Sequence, residues 1–456
     1  MNNQYRFLAR LIIEAKSPIN IGSGNKGVKS NSNVLRDLNG LPYIPGTTLA
    51  GLLRHTLGEK EEIWMGNQEK GSLVIFTEAK MLDSDGFVLD GIVSKERLSD
   101  SFLKQYKQLP IRQHAKIGHR GTTIKGGKFE EEIVIKGTRF CFEMEMLSNE
   151  ADDSEFKEML NTFCSTTFRI GSGSRSGFGE IEVVGSQCLY KHIDLANKRQ
   201  RDWYLEKSSL LSEEWKGADI LKLKGTESND WTVYTLQMKP VDFILFGSGF
   251  GNEKADMTYV RETFVDWNGS KAQLVDQEKV ILIPASSIKG ALSHRLAFHY
   301  NKLKGIYVDE IEGNIEDYVG KNNNAVKAVF GSEGEKDKDG NMQNKLRGNV
   351  MISDIIQNND FSSKILNHVS IDSFTGGAID GALFSEESLF AKGLSFSLYL
   401  AVNNNAFMDK DVKTAFEHSL KDLCSGMLPL GGGVNRGNGC FMGTIKRNKE
   451  VIYENN

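Results

Sequence analysis

Cysteine and proline are scarce in this chain: among 456 residues there are five of the first and seven of the second. Cys141, Cys164, Cys188, Cys424 and Cys440 are odd in number, scattered, and form no CxxC pair. That argues against a structural zinc site or a disulfide framework and for a reducing, cytoplasmic setting. No apolar run approaches the roughly 20 residues of a membrane span. The opening residues 1–6 (MNNQYR) lack the basic-then-apolar order of a signal peptide. No lysine-bearing P-loop of the GxxxxGK[ST] form is present, which disfavours a nucleotide-hydrolysing enzyme. An excess of basic charge is missing too. The net charge is -4, whereas proteins that bind nucleic acid are usually basic, so any RNA contact must rest on local sites.

Glycine, in contrast, is plentiful at 46 residues. It concentrates in two related segments, Gly171-Ser-Gly173-Ser-Arg175-Ser-Gly177-Phe-Gly179 and Gly431-Gly432-Gly433-Val-Asn-Arg436-Gly437-Asn-Gly439. Each precedes an apolar, strand-like stretch. Loops without Cβ atoms let backbone press against a bulky partner, and one arginine in the middle points to an anion, phosphate first.

Other features recur in the same order. Pro18 to Gly24 resembles Pro240 to Gly249, and Val34-Leu-Arg36-Asp37 resembles Tyr259-Val-Arg261-Glu262. Ile44-Pro-Gly-Thr-Thr-Leu-Ala-Gly51 resembles Ile283-Pro-Ala-Ser-Ser-Ile-Lys-Gly290. Trp64-Met-Gly66 and Lys136-Gly137 return as Val329-Phe-Gly331 and Lys392-Gly393. Six ordered pairs mark an internal duplication: a first domain over 1–191, a charged connector over 192–230 and a second domain over 231–456. Alternation over Tyr5–Ala15 (Phe7, Ala9, Leu11, Ile13) and over Thr232–Lys239 predicts half-buried strands. The Ser and Thr residues after Ile-Pro-Gly and Ile-Pro-Ala predict N-caps for helices over Leu49–Leu57 and Ile288–Tyr300. Short strands around two helices in each copy predict an α+β fold of the ferredoxin-like kind.

The Ile-Pro segments, both Gly-rich loops and Ile371-Asp-Ser-Phe-Thr-Gly-Gly-Ala378 with Leu383-Phe384 resemble the RAMP superfamily of CRISPR-associated proteins. Both copies look like the backbone subunit of type III effector complexes, here as a tandem fusion of the type III-D kind. The resemblance implies modified ferredoxin-like, RRM-like domains with inserted β-hairpin thumbs, for which Gly118–Gly137 and Asp372–Gly393 are candidates. It implies guide crRNA, complementary target RNA and other effector subunits as partners, and no membrane. It also implies endoribonuclease activity with an Asp ahead of the x-Arg-acidic segment. Asp256 fills that position in the second copy, and Asn31, which cannot ionise, fills it in the first. Asp256 is thus the candidate catalytic residue and ligand of Mg²⁺ or Mn²⁺ for attack by the neighbouring 2′-hydroxyl. Candidate RNA contacts are Asn31, Arg54, Arg175, Lys289 and Arg436, with the backbone of Gly171, Gly173, Gly431, Gly432 and Gly433. His114 and His119 would touch or stack on bases, while His294 and His299 read as residues of a helix face. The alternatives are a non-catalytic structural subunit and a guide-processing endoribonuclease of the same superfamily.

Overall fold

The computed structural model describes residues 3–24, 32–225, 229–332, 334–336 and 342–455. In the first half the strand Tyr5–Ala15 lies between Arg139–Ser148 and Leu189–Asp194, antiparallel to both. Its alternation places Phe7, Ala9, Leu11 and Ile13 in one core with Leu49 and Leu53 of the helix Gly46–Leu57 and Phe156 and Leu160 of the helix Ser154–Thr162. Side chains two apart share a strand face, so the sequence pattern translates directly into the buried layer.

The opposite face of that sheet carries Leu8 and Arg10, both buried as well. What covers them is the segment 192–230, expected as a connector. It contains the end of a sheet strand, a helix Lys198–Glu206 and a further paired strand Asp219–Ile220. Leu8 packs with Ile193 and Trp215, and the Arg10 guanidinium sits 4.8 Å from the Trp215 ring centre. Arg10 and Lys207 both reach Glu143, each at 2.7 Å. Trp203, Trp215 and Leu211 have apolar area to bury, and the back of the first sheet is where they bury it. The segment is a layer of the first half rather than a free linker.

The second half repeats the plan. Trp231–Pro240 runs between Phe396–Asn403 and Phe441–Arg447, again antiparallel to both. Tyr234, Leu236 and Met238 meet Ile288 and Leu292 of the helix Ala285–Leu303 and Phe416 and Leu420 of the helix Lys410–Cys424. The duplication extends to single backbone pairs. Gly22 bridges Val34 as Gly247 bridges Tyr259, and Ser32 lies parallel to Glu131 as Met257 lies parallel to Glu386. Ser172 N–H donates to Asn20 O at 2.8 Å, and Gly432 N–H to Leu245 O at 2.7 Å. The helices after the Ile-Pro segments start earlier than expected, at Gly46 and Ala285, with Pro45 and Pro284 in the cap positions and no side-chain cap bond. Thr47 and Ser286 therefore fall inside the first turn. The amide of Ala285 is taken instead by Asp354 Oδ1, 2.7 Å away, from the far side of the fold.

The halves exchange elements. The hairpin Phe264–Asn268/Lys271–Val275 of the second half sends Val265 into the first core, a contribution of roughly 2 kcal/mol for a buried valine. Trp267 donates its indole N–H to Gly137 O at 2.6 Å. In return, the first-half hairpin Ile111–Ile117/Thr123–Glu132 leans on the second half. Lys136 Nζ donates to Ile356 O at 3.1 Å, and Arg169 bonds both Glu180 at 2.9 Å and Ser353 at 3.1 Å.

Candidate RNA-binding and cleavage site

Asp256 is exposed in a loop along the strand Phe384–Phe390. The backbone N–H and the hydroxyl of Ser385 donate to Asp256 Oδ2 at 2.7 and 2.9 Å, and the Asp256 N–H returns to Ser385 Oγ at 3.1 Å. The Ser385 amide, then its hydroxyl, hold the carboxyl below the ordinary 3.8, because both bonds favour the anion. The next residue, Met257, exchanges backbone bonds with Ser385 O and Glu387 N–H, at 3.1 and 2.9 Å. Arg261 closes the loop with Glu387 at 2.9 Å and Glu278 at 3.1 Å. Asp256 therefore sits at the connection end of the hairpin Ser362–His368/Phe384–Phe390, where Ser385 pairs with Asn367. The connection of that hairpin exposes Ile371, Phe374 and Leu383, with Phe374 at 96 %.

Asn31 lies outside the described residues. Its neighbours show how the first half differs. Arg36 is held by Glu132 of its own hairpin at 2.7 Å, as Arg261 is by Glu387. Asp37, the counterpart of Glu262, accepts from the amides of Asn39 and Leu41 at 2.9 and 3.0 Å and so closes a local turn.

The Gly-rich loops need glycine for internal reasons. Gly171 (φ +87°) and Gly431 (φ +91°) press on the carbonyls of Asn20 and Leu245, and Gly179 and Gly439 press on Ile170 and Leu430. At Gly173 the Phe178 ring stands 2.6 Å from where a Cβ would be, and Gly433 is left-handed at φ +69° against Asn438. Gly177 (φ +109°) faces Asp354 and Ala285 of the second half. In these loops the close approach is made to the protein's own backbone and side chains. Gly432 also gives its N–H to Leu245 O, so that amide is already engaged.

The candidate cations separate into three places. Arg175 lies 5.5 Å from the Trp231 ring centre, and its Nε and Nη1 are buried with no hydrogen-bond partner among the described residues. Burial, then Arg347 and Arg169, push its pKa down to about 10. Lys289 reaches the same loop, with Nζ 3.4 Å from Ser176 Oγ. The structure therefore places Lys289 of the second half on the loop that carries Arg175, whose charge is opposed by Arg347 and Arg169. Arg436 is already paired: it bonds Glu386 at 2.5 Å, beside His368 Nε2 at 3.0 Å from the same oxygen, and lies 5.6 Å from the Phe384 ring centre. Arg54 sits apart, bonded to Gly66 O at 3.0 Å on a cleft of about 320 Å³ lined by Gly46, Gly51 and Phe76.

The histidine expectation needs one correction. His114 stacks on Phe129 with ring centres 4.7 Å apart and has a buried side chain, so its ring faces the protein and not a base. His299 bonds Asp422 at 2.7 Å, as a helix-face residue should.

Residues that the sequence did not single out complete the site. Ser385 fixes Asp256, and Arg112 pairs with Glu262 and Asp354. Glu262 stands in a quoted motif, yet its partner lies 150 residues away, and nothing in the local pattern signals it.

The RAMP superfamily model matches residues 12–182 and 267–441. The chain belongs to the RAMP superfamily and carries its module twice, as two tandem mixed α/β segments. Asp256 lies ahead of the second matched segment, so its reading rests on the geometry above. The chain is similar to the CRISPR system Cms endoribonuclease Csm3 of Methanocaldococcus jannaschii, 30% identical over 201 residues that cover 40% of this chain and 79% of that protein. It is also similar to a chain in the cryo-EM structure of the type III-B Cmr-beta bound to cognate target RNA. There the TM-score is 0.30 at 16% identity, over 41% of this chain and 61% of that one. For the apo state of Cmr-beta the TM-score is 0.29 at 15% identity, over 39% and 96%. No helix among the described residues is long and apolar enough to cross a membrane.

Proposed function

We propose that this chain is a backbone subunit of a type III CRISPR effector complex, built from two ferredoxin-like, RRM-like domains, that holds guide crRNA and cleaves complementary target RNA with its second domain. The observation that carries the reading is Asp256: an exposed carboxylate kept anionic by Ser385 at the end of a hairpin that leads into its apolar connection. An apolar hairpin of this kind can splay a base from a guide–target duplex. The splayed nucleotide would bring its 2′-hydroxyl into line with the adjacent phosphodiester. Asp256 then accepts or orients the proton of that hydroxyl as its oxygen bonds to phosphorus, the bond to the 5′-oxygen breaks, and that oxygen leaves with a proton from water.

Among the described residues there is no group of three or more His, Cys, Asp or Glu that could hold a metal ion. A lone carboxylate still fits Mg²⁺ or Mn²⁺, since such cations are commonly bound by one carboxylate, waters and the phosphate oxygens of the substrate. When bound there, the cation would neutralise charge building up on the phosphate. Arg175 and Lys289 supply the local positive field that the overall charge lacks, and phosphate contacts of this sort position RNA without reading its sequence.

The test is the assembled complex with labelled complementary RNA. Asp256→Ala is expected to remove one cut and leave guide and target binding intact. Undiminished cleavage by that variant would overturn the assignment and favour the non-catalytic alternative.

A further inference from the structure

We propose that Arg112, a residue of the first half, is the positioning residue for the cutting loop of the second half. The proposal rests on the reading of Asp256 as the residue that cuts.

Arg112 leaves the hairpin arm Ile111–Ile117 and is 5% exposed. Its Nη2 donates to Glu262 Oε2 at 2.5 Å and its Nη1 to Asp354. Asp354 in turn accepts the first amide of the helix Ala285–Leu303 at 2.7 Å. The guanidinium carbon lies 5.0 Å from the centre of the Phe178 ring in the first Gly-rich loop, and Gly177 of that loop packs on Asp354. One side chain therefore joins the first hairpin, the first Gly-rich loop, the start of a second-half helix and the loop that carries Asp256.

Glu262 ends that loop. Its charge is opposed first by burial, and its carboxyl is raised even though Arg112 pulls it down. Arg112 is affected the other way: burial opposes its charge, but Asp354 and then Glu262 outweigh it and raise its pKa. Such a pair is poor evidence for stability, because desolvating two charges offsets most of their attraction. What a buried, charge-assisted fork gives instead is a fixed geometry. The start of the same loop is pressed on the same hairpin, since Gly249 packs against the Gln113 side chain. The silent half makes no such use of its acidic residue, because Asp37 closes a local turn through Asn39 and Leu41. The cross-half pair belongs to the half that has the carboxylate.

The consequence is that the second half cuts only as well as the first half holds its loop. Glu262→Gln in the full complex is the primary test, because it removes one charge and leaves Arg112 paired with Asp354. Single-turnover cleavage at saturating target is expected to fall about tenfold or more, in line with the sensitivity of catalysis to small misplacements. Guide occupancy and target affinity should stay within about twofold, since the proposed phosphate-binding side chains Arg175 and Lys289 lie outside that loop. Arg112→Lys should be intermediate and Arg112→Met the slowest. Wild-type cleavage rates in Glu262→Gln, with Asp256→Ala inactive, would overturn this inference and leave the proposed function standing. Cleavage by Asp256→Ala would overturn the proposed function itself. A lowered melting temperature with normal saturated cleavage would reduce Arg112 to a purely structural role and also overturn the inference.

Discussion

Ser385 donates twice to one oxygen of Asp256, from its amide at 2.7 Å and from its hydroxyl at 2.9 Å. The backbone bond survives any side-chain change, so Ser385→Ala separates orientation from ionisation. The carboxyl is held below 3.8, first by the amide and then by the hydroxyl. Loss of the hydroxyl should move the acid limb of cleavage upward, toward the ordinary carboxylate value, and slow the plateau rate about tenfold. A pH–rate series on the complex reads both effects. Asp256→Asn, by contrast, should remove the cut at every pH.

The same register limits what can be done to the silent half. The parallel pairs Ser32–Glu131 and Met257–Glu386 correspond, so Glu130 stands where Ser385 stands. Glu130 accepts from Gln113 Nε2 at 3.0 Å. Glu130 brings a carboxylate where Ser385 brings a hydroxyl, so an Asp at the position that corresponds to Asp256 lacks the hydroxyl bond and gains a like charge in its place. The single variant is expected to give no new cut, whereas Asn31→Asp with Glu130→Ser should give a second product. Product mapping on one labelled target decides, and a second cut from the single variant would show that the Ser385 bonds are dispensable.

Much of this was legible in the sequence and some was not, for physical reasons. Tyr5–Ala15 and Trp231–Pro240 follow their apolar alternation because each sheet buries one face in its core. The repeated motifs mark positions where backbone geometry recurs: Gly66 and Gly331 both end helices at positive φ, +71° and +78°. The connector misled because charge and helix propensity describe its outer side, while Trp203, Leu211 and Trp215 decide where it packs. Arg436 looked like a phosphate ligand because Glu386 is 50 residues away. Pairings at that range are set by topology and leave no trace in local spacing.

His114 gives a pH dependence of stability. Burial, and then Arg112, push its pKa from 6.5 down to about 4. The nearby Glu131, 3.4 Å away, is itself raised by burial. The folded state binds the proton less readily than the unfolded one, so the contribution of neutral His114 is complete above about 6.5. It is lost as pH falls toward about 4, up to roughly 3 kcal/mol in all. Thermal melts across that window should show wild type losing more stability than His114→Phe as pH falls, the variant showing the flatter curve.

Two glycines in the loops should respond differently to alanine. Gly437 (φ +93°) has open space around its missing Cβ, so Gly437→Ala bears only the backbone cost, roughly 1–2 kcal/mol. Gly177 (φ +109°) would also drive a methyl into Asp354 and Ala285. Gly177→Ala is expected to cost about 3 kcal/mol or more and to slow cleavage as well, because Asp354 shares Arg112 with Glu262. Denaturant melts and cleavage rates measured on both variants distinguish a local from a transmitted effect.

Arg175 and Arg436 allow the RNA contact to be read as a salt effect. Arg436 gives its charge to Glu386, while Arg175 keeps buried Nε and Nη1 without acceptors and is pushed down to about 10 by burial, Arg347 and Arg169. Buried guanidinium nitrogens that lack acceptors cost stability until an anion arrives. Arg175→Ala is therefore expected to leave the melting temperature of the RNA-free chain unchanged or higher. It should also weaken guide binding and lower the slope of log K against log salt by about one, the value for one lost phosphate contact. Arg436→Ala should change that slope less, because Glu386 already compensates its charge, and should lower the melting temperature by leaving Glu386 with His368 alone. An equal change of slope for both variants would show that the Glu386 pair opens when RNA binds.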